Sequence, residues 1–225
     1  MLSLDETLRL NNEGVALFRA NEPSRAAEKL HSSLIGARSL IHRGTAAADH
    51  PNAPDLLQSY CEESQHHDCC SKDRNEFFLF LRAFAFRGVP EQQGGSTQAA
   101  LCVYSAGILF NLAILHHKHW MKDGSPAFLD KAVVFYHTVL QIIQANGAYE
   151  HIPTLLLLVL VTCNNLAQIE LEKGMVENVN QHLRYMTGIL YTRKRTLLMT
   201  LTRIEVEGLL SNVLSGGRLS TALAA

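Results

Sequence analysis

Three times along the chain an asparagine stands two residues before a glycine or alanine, inside a helix-forming stretch that is followed by a turn and a second apolar stretch. The first copy is Leu10-Asn11-Asn12-Glu13-Gly14-Val15-Ala16-Leu17-Phe18, a turn at Asn21-Glu22-Pro23-Ser24, then Arg25-Ala26-Ala27-Glu28-Lys29-Leu30. The second is Phe110-Asn111-Leu112-Ala113-Ile114-Leu115, a longer turn ending at Pro126, then Leu129-Asp130-Lys131-Ala132-Val133-Val134-Phe135-Tyr136. The third is Asn164-Asn165-Leu166-Ala167-Gln168-Ile169, a turn at Lys173-Gly174, then a second helix over Val176 to Leu183. A recurring unit of this kind constrains the fold before any single residue does, because one helical hairpin cannot bury its apolar face alone and must stack on a neighbour. The small residue also has a packing purpose. Antiparallel helices approach closely only where one of them presents no bulky side chain, and Gly14, Ala113 and Ala167 on the first helices face Ala26 and Ala132 on the second.

The local signals agree with hairpins. Pro23-Ser24 and Ser125-Pro126 place a helix-starting proline or a capping serine at the second helices, Pro153 suits a first turn, and Asn146-Gly147 is a stop. Phe128, Ala132, Phe135, Val139 and Ile142 recur at three- and four-residue spacing, which predicts an inward stripe. The expected organisation is a single all-α domain over 1–225, with hairpins at 3–41, 96–146 and 150–191, a terminal capping helix at 196–214, and a tail from 215 that frays. Between hairpins one and two, 42–95 is expected as an insertion. Within it, 76–87 is aromatic-rich and ends at Gly88-Val89-Pro90, which predicts a short β-like segment; a short buried helix is the alternative. An unpaired apolar strand edge would invite another chain.

These hairpins resemble the tetratricopeptide repeat family. Gly14 and Ala26 lie twelve positions apart, as the small residues of the family's two helices do, and Leu30 stands at the family's large apolar position. The second copy has Ala113, Ala132 and Tyr136 with seven extra residues in the turn; the third has Ala167, Val179 and Leu183 with none. The family's Trp and Pro marks are missing, and the likeness covers about half the chain. The resemblance implies a right-handed α-α superhelix whose first helices line a groove for a partner peptide or helix. The matching positions are Asn11, Val15, Phe18 and Arg19, then Phe110, Ile114, His117 and Lys118, then Asn164, Gln168, Leu171 and Glu172. Their mixture of apolar, amide and charged side chains suits an amphipathic segment. The lysine and arginine with which some members grip a C-terminal carboxylate are not at these positions, so a chaperone carboxylate clamp is not expected.

Composition narrows the classes of function. With 47% hydrophobic and 18% charged residues the chain reads as globular, and a net charge of −1 provides no field for phosphate backbones or anionic membranes. General nucleic-acid binding is therefore not expected. The most apolar run, 152–163, is shorter than the roughly 20 residues of a membrane span. Five cysteines, three of them clustered, suggest a reducing intracellular compartment, and the acidic start Asp5-Glu6 does not read as a secretory signal. A cytoplasmic location follows, with the basic run Tyr191-Thr192-Arg193-Lys194-Arg195 giving either a nuclear address or a solvated helix end.

No nucleophile elbow or phosphate-cradling loop occurs, and Gly94-Gly95-Ser96 reads only as a helix lead-in. Two clusters carry metal-ligating residue types: Cys61, His66, His67, Asp68, Cys69 and Cys70, and His116, His117 and His119 beside Trp120. Neither has the paired spacing of a structural zinc site or the His-Glu-x-x-His of zinc peptidases, so no cofactor is expected. The bland readings are a polar loop and an amphipathic helix end; imidazoles there would still be pH-sensitive. The leading expectation is a noncatalytic protein-binding scaffold. The alternatives are a metal-binding helical enzyme or sensor, and a structural subunit that docks through the aromatic segment.

Overall fold

The computed structural model describes residues 2–42, 57–58, 77–86, 98–145, 152–198 and 201–222. Among the described residues it is all-α apart from one two-residue β pair. The elements run α1 (Leu4–Arg19), α2 (Pro23–His42), β1 (Leu57–Gln58), β2 (Ala85–Phe86), α3 (Gln98–Asp123), α4 (Pro126–Ala145), α5 (Pro153–Glu172), α6 (Val176–Leu198) and α7 (Arg203–Ala222). β1 and β2 pair antiparallel, Leu57 opposite Phe86 and Gln58 opposite Ala85. Ser3 caps α1 by accepting the Glu6 N–H at 3.1 Å. Each of α2, α4 and α5 starts on its proline, where a missing N–H costs nothing. The turns reverse through left-handed residues, Asn21 (φ 57°), Gly124 (φ 66°) and Gly174 (φ 71°).

The chain forms two compact units, one of residues 1–60 and 83–158, the other of 61–82 and 159–225. In the N-terminal unit α1 pairs with α2, α3 pairs with α4, and α2 packs on α3. Gly14 is why α1 and α2 lie so close: a Cβ there would fall 2.8 Å from Leu30 Cγ and 3.3 Å from the Ala26 carbonyl oxygen. Ala26, Ala113 and Ala132 are fully buried. On α4 the inward row is Leu129, Ala132, Tyr136, Val139 and Ile143. The expected stripe shares Ala132 and Val139 with it, but Phe128, Phe135 and Ile142 lie on its flank and are half-buried. Phe128 and Phe135 instead stack on His116.

In the C-terminal unit α6 packs on α7. Glu170 of α5 ties to α6 through Asn178 (3.5 Å) and His182 (3.2 Å). The expected terminal helix over 196–214 is corrected here, because α6 runs on to Leu198 and α7 begins at Arg203 and continues to Ala222 rather than fraying at 215. A capping box makes the break: the Glu205 N–H donates to Thr202 Oγ1 (3.3 Å), and the Thr202 N–H donates to Glu205 Oε2 (2.8 Å). Two helices, over Ala100–Asp123 and Pro153–Glu172, are long and apolar enough to cross a membrane, and their apolar windows are 100% and 89% buried.

Candidate functional site

The aromatic segment is extended, and what holds it is a set of asparagine side chains. In the N-terminal unit Asn111 Oδ1 accepts the Phe84 N–H at 2.8 Å while Asn111 Nδ2 donates to the Phe84 carbonyl at 2.8 Å. Asn12 treats Phe86 in the same way, at 2.7 and 2.9 Å. A third amide, Asn11, donates to the Phe84 carbonyl at 3.0 Å and to Asn12 Oδ1 at 3.3 Å, and accepts from Asn111 Nδ2 at 2.9 Å. In an extended chain the N–H and C=O of one residue point to the same side, as do those of the residue two along. A carboxamide has one acceptor and one donor end, so it can pair with both groups of one residue as a neighbouring strand would.

The C-terminal unit repeats this wiring. Asn212 accepts the Phe78 N–H (2.8 Å) and donates to the Phe78 carbonyl (2.7 Å). Asn165 does the same for Phe80, at 3.0 and 2.8 Å. Asn164 donates to the Phe78 carbonyl (2.9 Å) and to Asn165 Oδ1 (3.2 Å), and accepts from Asn212 Nδ2 (2.7 Å). Bond for bond, Asn164, Asn165 and Asn212 stand where Asn11, Asn12 and Asn111 stand in the other unit. Asn11, Asn164 and Asn165 are fully buried, and Asn111 and Asn212 nearly so. A buried amide is tolerable only when its hydrogen-bonding capacity is used, and here the extended main chain uses it.

The side chains at the two clamps differ. Phe84 lies edge-on to Phe110 (5.4 Å between centroids), and Phe86 edge-on to Tyr104 (5.0 Å). Burial and the nearby Asp5 push the Tyr104 phenol up to about 12, so it stays neutral. Phe78 lies against Gly208, where a Cβ would be 2.3 Å from Phe78 Cγ. Arg82 Nε is 3.0 Å from Glu205 Oε1, with both side chains 11% exposed, and its guanidinium lies 5.4 Å from the centre of the Phe80 ring.

Of the twelve groove positions, Asn11 and Asn164 touch the segment's main chain and Phe110 its aromatic ring. Val15, Ile114 and His117 are buried, His117 with Nδ1 3.3 Å from the Tyr136 hydroxyl. Phe18 is half-buried below Lys118, whose Nζ is 5.2 Å from the ring centre. Arg19 and Glu172 are exposed, Leu171 is half-buried, and Gln168 donates to Glu172 at 3.1 Å. Along the expected edge at 76–87, of which 76 and 87 lie outside the described residues, the main-chain groups at 78, 80, 84 and 86 meet amides, and Phe80, Phe84 and Phe86 are buried. Asn12, Asn111, Asn165 and Asn212, which do most of the gripping, were not among the expected site residues. Their signal was the repeated Asn-x-small pattern itself, which Asn12, Asn111 and Asn165 share.

Among the described residues no group of three His, Cys, Asp or Glu is placed to hold a metal ion. The cluster from Cys61 to Cys70, Asn146-Gly147 and Gly94-Gly95-Ser96 lie outside them. His116 is buried between Phe128 and Phe135, and burial first, then Lys131, His31 and His119, push it down to about 4. His119 meets the edge of Phe128. Cys102 and Cys163 are buried free thiols held up at about 11 and about 12 by burial, which leaves neither as a thiolate at neutral pH. No family model, curated protein or solved structure matches the chain.

Proposed function

We propose that this chain is a noncatalytic scaffold of tetratricopeptide-like helical hairpins that holds an extended polypeptide by its main chain. The observation that carries the reading is the pair of identically wired asparagine clamps, each taking both hydrogen-bonding groups of alternate residues. Main-chain pairing of this kind gives affinity without regard to sequence, as strand addition does, and neighbouring side chains add selectivity. Small residues where paired helices meet, and α2 lying on α3, support hairpins stacked in the tetratricopeptide manner. In this state residues 77–86 of the chain itself occupy the clamps. The test is to replace 77–86 with a glycine-serine linker of equal length and titrate in a labelled synthetic peptide of residues 76–87. Saturable binding that is lost on Asn111→Ala and Asn212→Ala supports the reading. A helical protein that binds no peptide contradicts it and leaves the segment as a fixed part of the core.

A further inference from the structure

We infer that the C-terminal clamp is selective for an extended segment of the form aromatic-x-aromatic-x-arginine, and that Phe78, Phe80 and Arg82 hold the place of such a segment until a partner's displaces them. This rests on the scaffold reading and adds to it the chemistry of the ligand. The three amides Asn164, Asn165 and Asn212 would accept any extended chain, so selection falls to what lies beside the side chains at the first, third and fifth positions.

At the first position the neighbour is Gly208. A Cβ there would sit 2.3 Å from Phe78 Cγ and Cδ2, so the glycine leaves a flat recess that the aromatic ring fills. A small residue would leave that recess empty, at the cost of the lost ring contacts. At the third position Phe80 is 1% exposed, so the site demands an apolar side chain there. At the fifth position a carboxylate waits in a nearly dry place. Glu205 is 11% exposed at its side chain, and its second oxygen accepts the Thr202 N–H at 2.8 Å, which leaves the first to face position 82. An arginine there neutralises the carboxylate and stacks over the aromatic ring at the third position (5.4 Å). A neutral residue would leave a buried charge without its partner, and an acidic one would add repulsion. Arginine suits this place better than lysine because its planar guanidinium pairs and stacks at once.

The segment's own residues compete as part of the same chain, at an effective concentration in the millimolar range for short tethers. A free peptide therefore meets an occupied site, and its apparent affinity should rise when the resident is weakened.

The test uses the full-length chain and a fluorescein-labelled peptide Glu-Phe-Phe-Leu-Phe-Leu-Arg-Ala, followed by polarisation. The expected result is weak binding to the unmodified chain and binding at least about tenfold tighter to the Phe78→Ser chain. Peptides with alanine for the first clamped Phe, or glutamine for Arg, should bind about tenfold or more weakly. Glu205→Gln in the chain should abolish the difference between the Arg and Gln peptides while keeping the cap on α7. If all peptides bind alike, the selectivity is overturned and main-chain holding stands. If no peptide binds either chain up to millimolar concentration, while the helical spectrum is intact, this inference and the scaffold reading fall together. Should Phe78→Ser not fold, the ranking of peptides on the unmodified chain decides the matter.

Discussion

In the N-terminal clamp the amide of Asn111 grips Phe84 against the edge of Phe110, whereas in the C-terminal clamp the amide of Asn212 grips Phe78 against Gly208. The amide wiring is the same, down to the third asparagine that ties each pair together. What surrounds it is not. The first clamp is walled by aromatics, Phe110 and Tyr104. The second sets a bare glycine and a buried Arg82–Glu205 pair beside the main chain. The constant part is what an extended backbone requires, and the variable part is what particular side chains require. The two gripping asparagines share a further feature in sequence, since Gly107 precedes Asn111 and Gly208 precedes Asn212 by four residues, about one helical turn.

Removing the gripping amides should break the comparison most severely. Asn111→Ala leaves the Phe84 N–H and Asn11 Oδ1 without their partner, and Asn212→Ala does the same to Phe78 and Asn164. At about 1–3 kcal/mol for each buried group left unsatisfied, each variant should lose about 3 kcal/mol. The two losses should agree within about 1 kcal/mol if the wiring is equivalent. Chemical denaturation followed separately in each unit reads both, and a loss confined to one variant would end the equivalence.

A smaller effect is expected where the clamps differ. Gly208→Ala drives a methyl into Phe78 and should cost about 1–3 kcal/mol by overpacking, despite alanine's better helix propensity. Gly188→Ala, on α6 with nothing within 4 Å of the new methyl, should instead stabilise by about 0.5–1 kcal/mol. Thermal melts of both variants give the contrast; equal behaviour would mean that Phe78 does not lie where Gly208 admits it.

A further effect concerns acid and leaves stability at neutral pH unchanged. His116, in the N-terminal unit, is held down at about 4 by burial, against an ordinary value near 6.5. Between those values the unfolded chain binds a proton that the folded one refuses, so stability is lost as pH falls from about 6.5 toward 4. His31 is lowered too, by burial and Lys131, and adds the same sign. The N-terminal unit should therefore weaken over this range, and His116→Phe, which keeps the stack with Phe128 and Phe135, should flatten the slope. An unchanged slope in that variant would place the acid sensitivity elsewhere.

Much of the helical framework was legible in the sequence because its causes are local. Prolines at helix starts, left-handed turn residues and small residues twelve positions apart all act within one hairpin, and α2, α4, α5 and α6 begin where those signals stand. The end of α6 and start of α7 were misplaced because the apolar run around Leu197, Leu198 and Leu201 reads as continuous, although Thr202 and Glu205 already spell the capping box that divides it. The clamps were legible only in part. The recurring asparagines were visible, and of the aromatic segment expected as β-like only Ala85–Phe86 is strand; nothing local joins Asn212 to Phe78 across 134 residues or Asn12 to Phe86 across 74. Alternating aromatics look like a strand in want of a partner strand. Beyond the two-residue pairing with β1, the partner proved to be a row of side chains, which no period in the segment encodes.

The central claim is that side-chain amides hold the main chain of this segment. Residue-resolved amide hydrogen exchange tests it most directly. Phe78, Phe80 and Phe84 lie outside every helix and strand, yet their N–H groups should be strongly protected. Protection should vanish at Phe84 in Asn111→Ala and at Phe78 in Asn212→Ala. Exchange at free-peptide rates in the unmodified chain, or protection that survives both substitutions, would contradict the account.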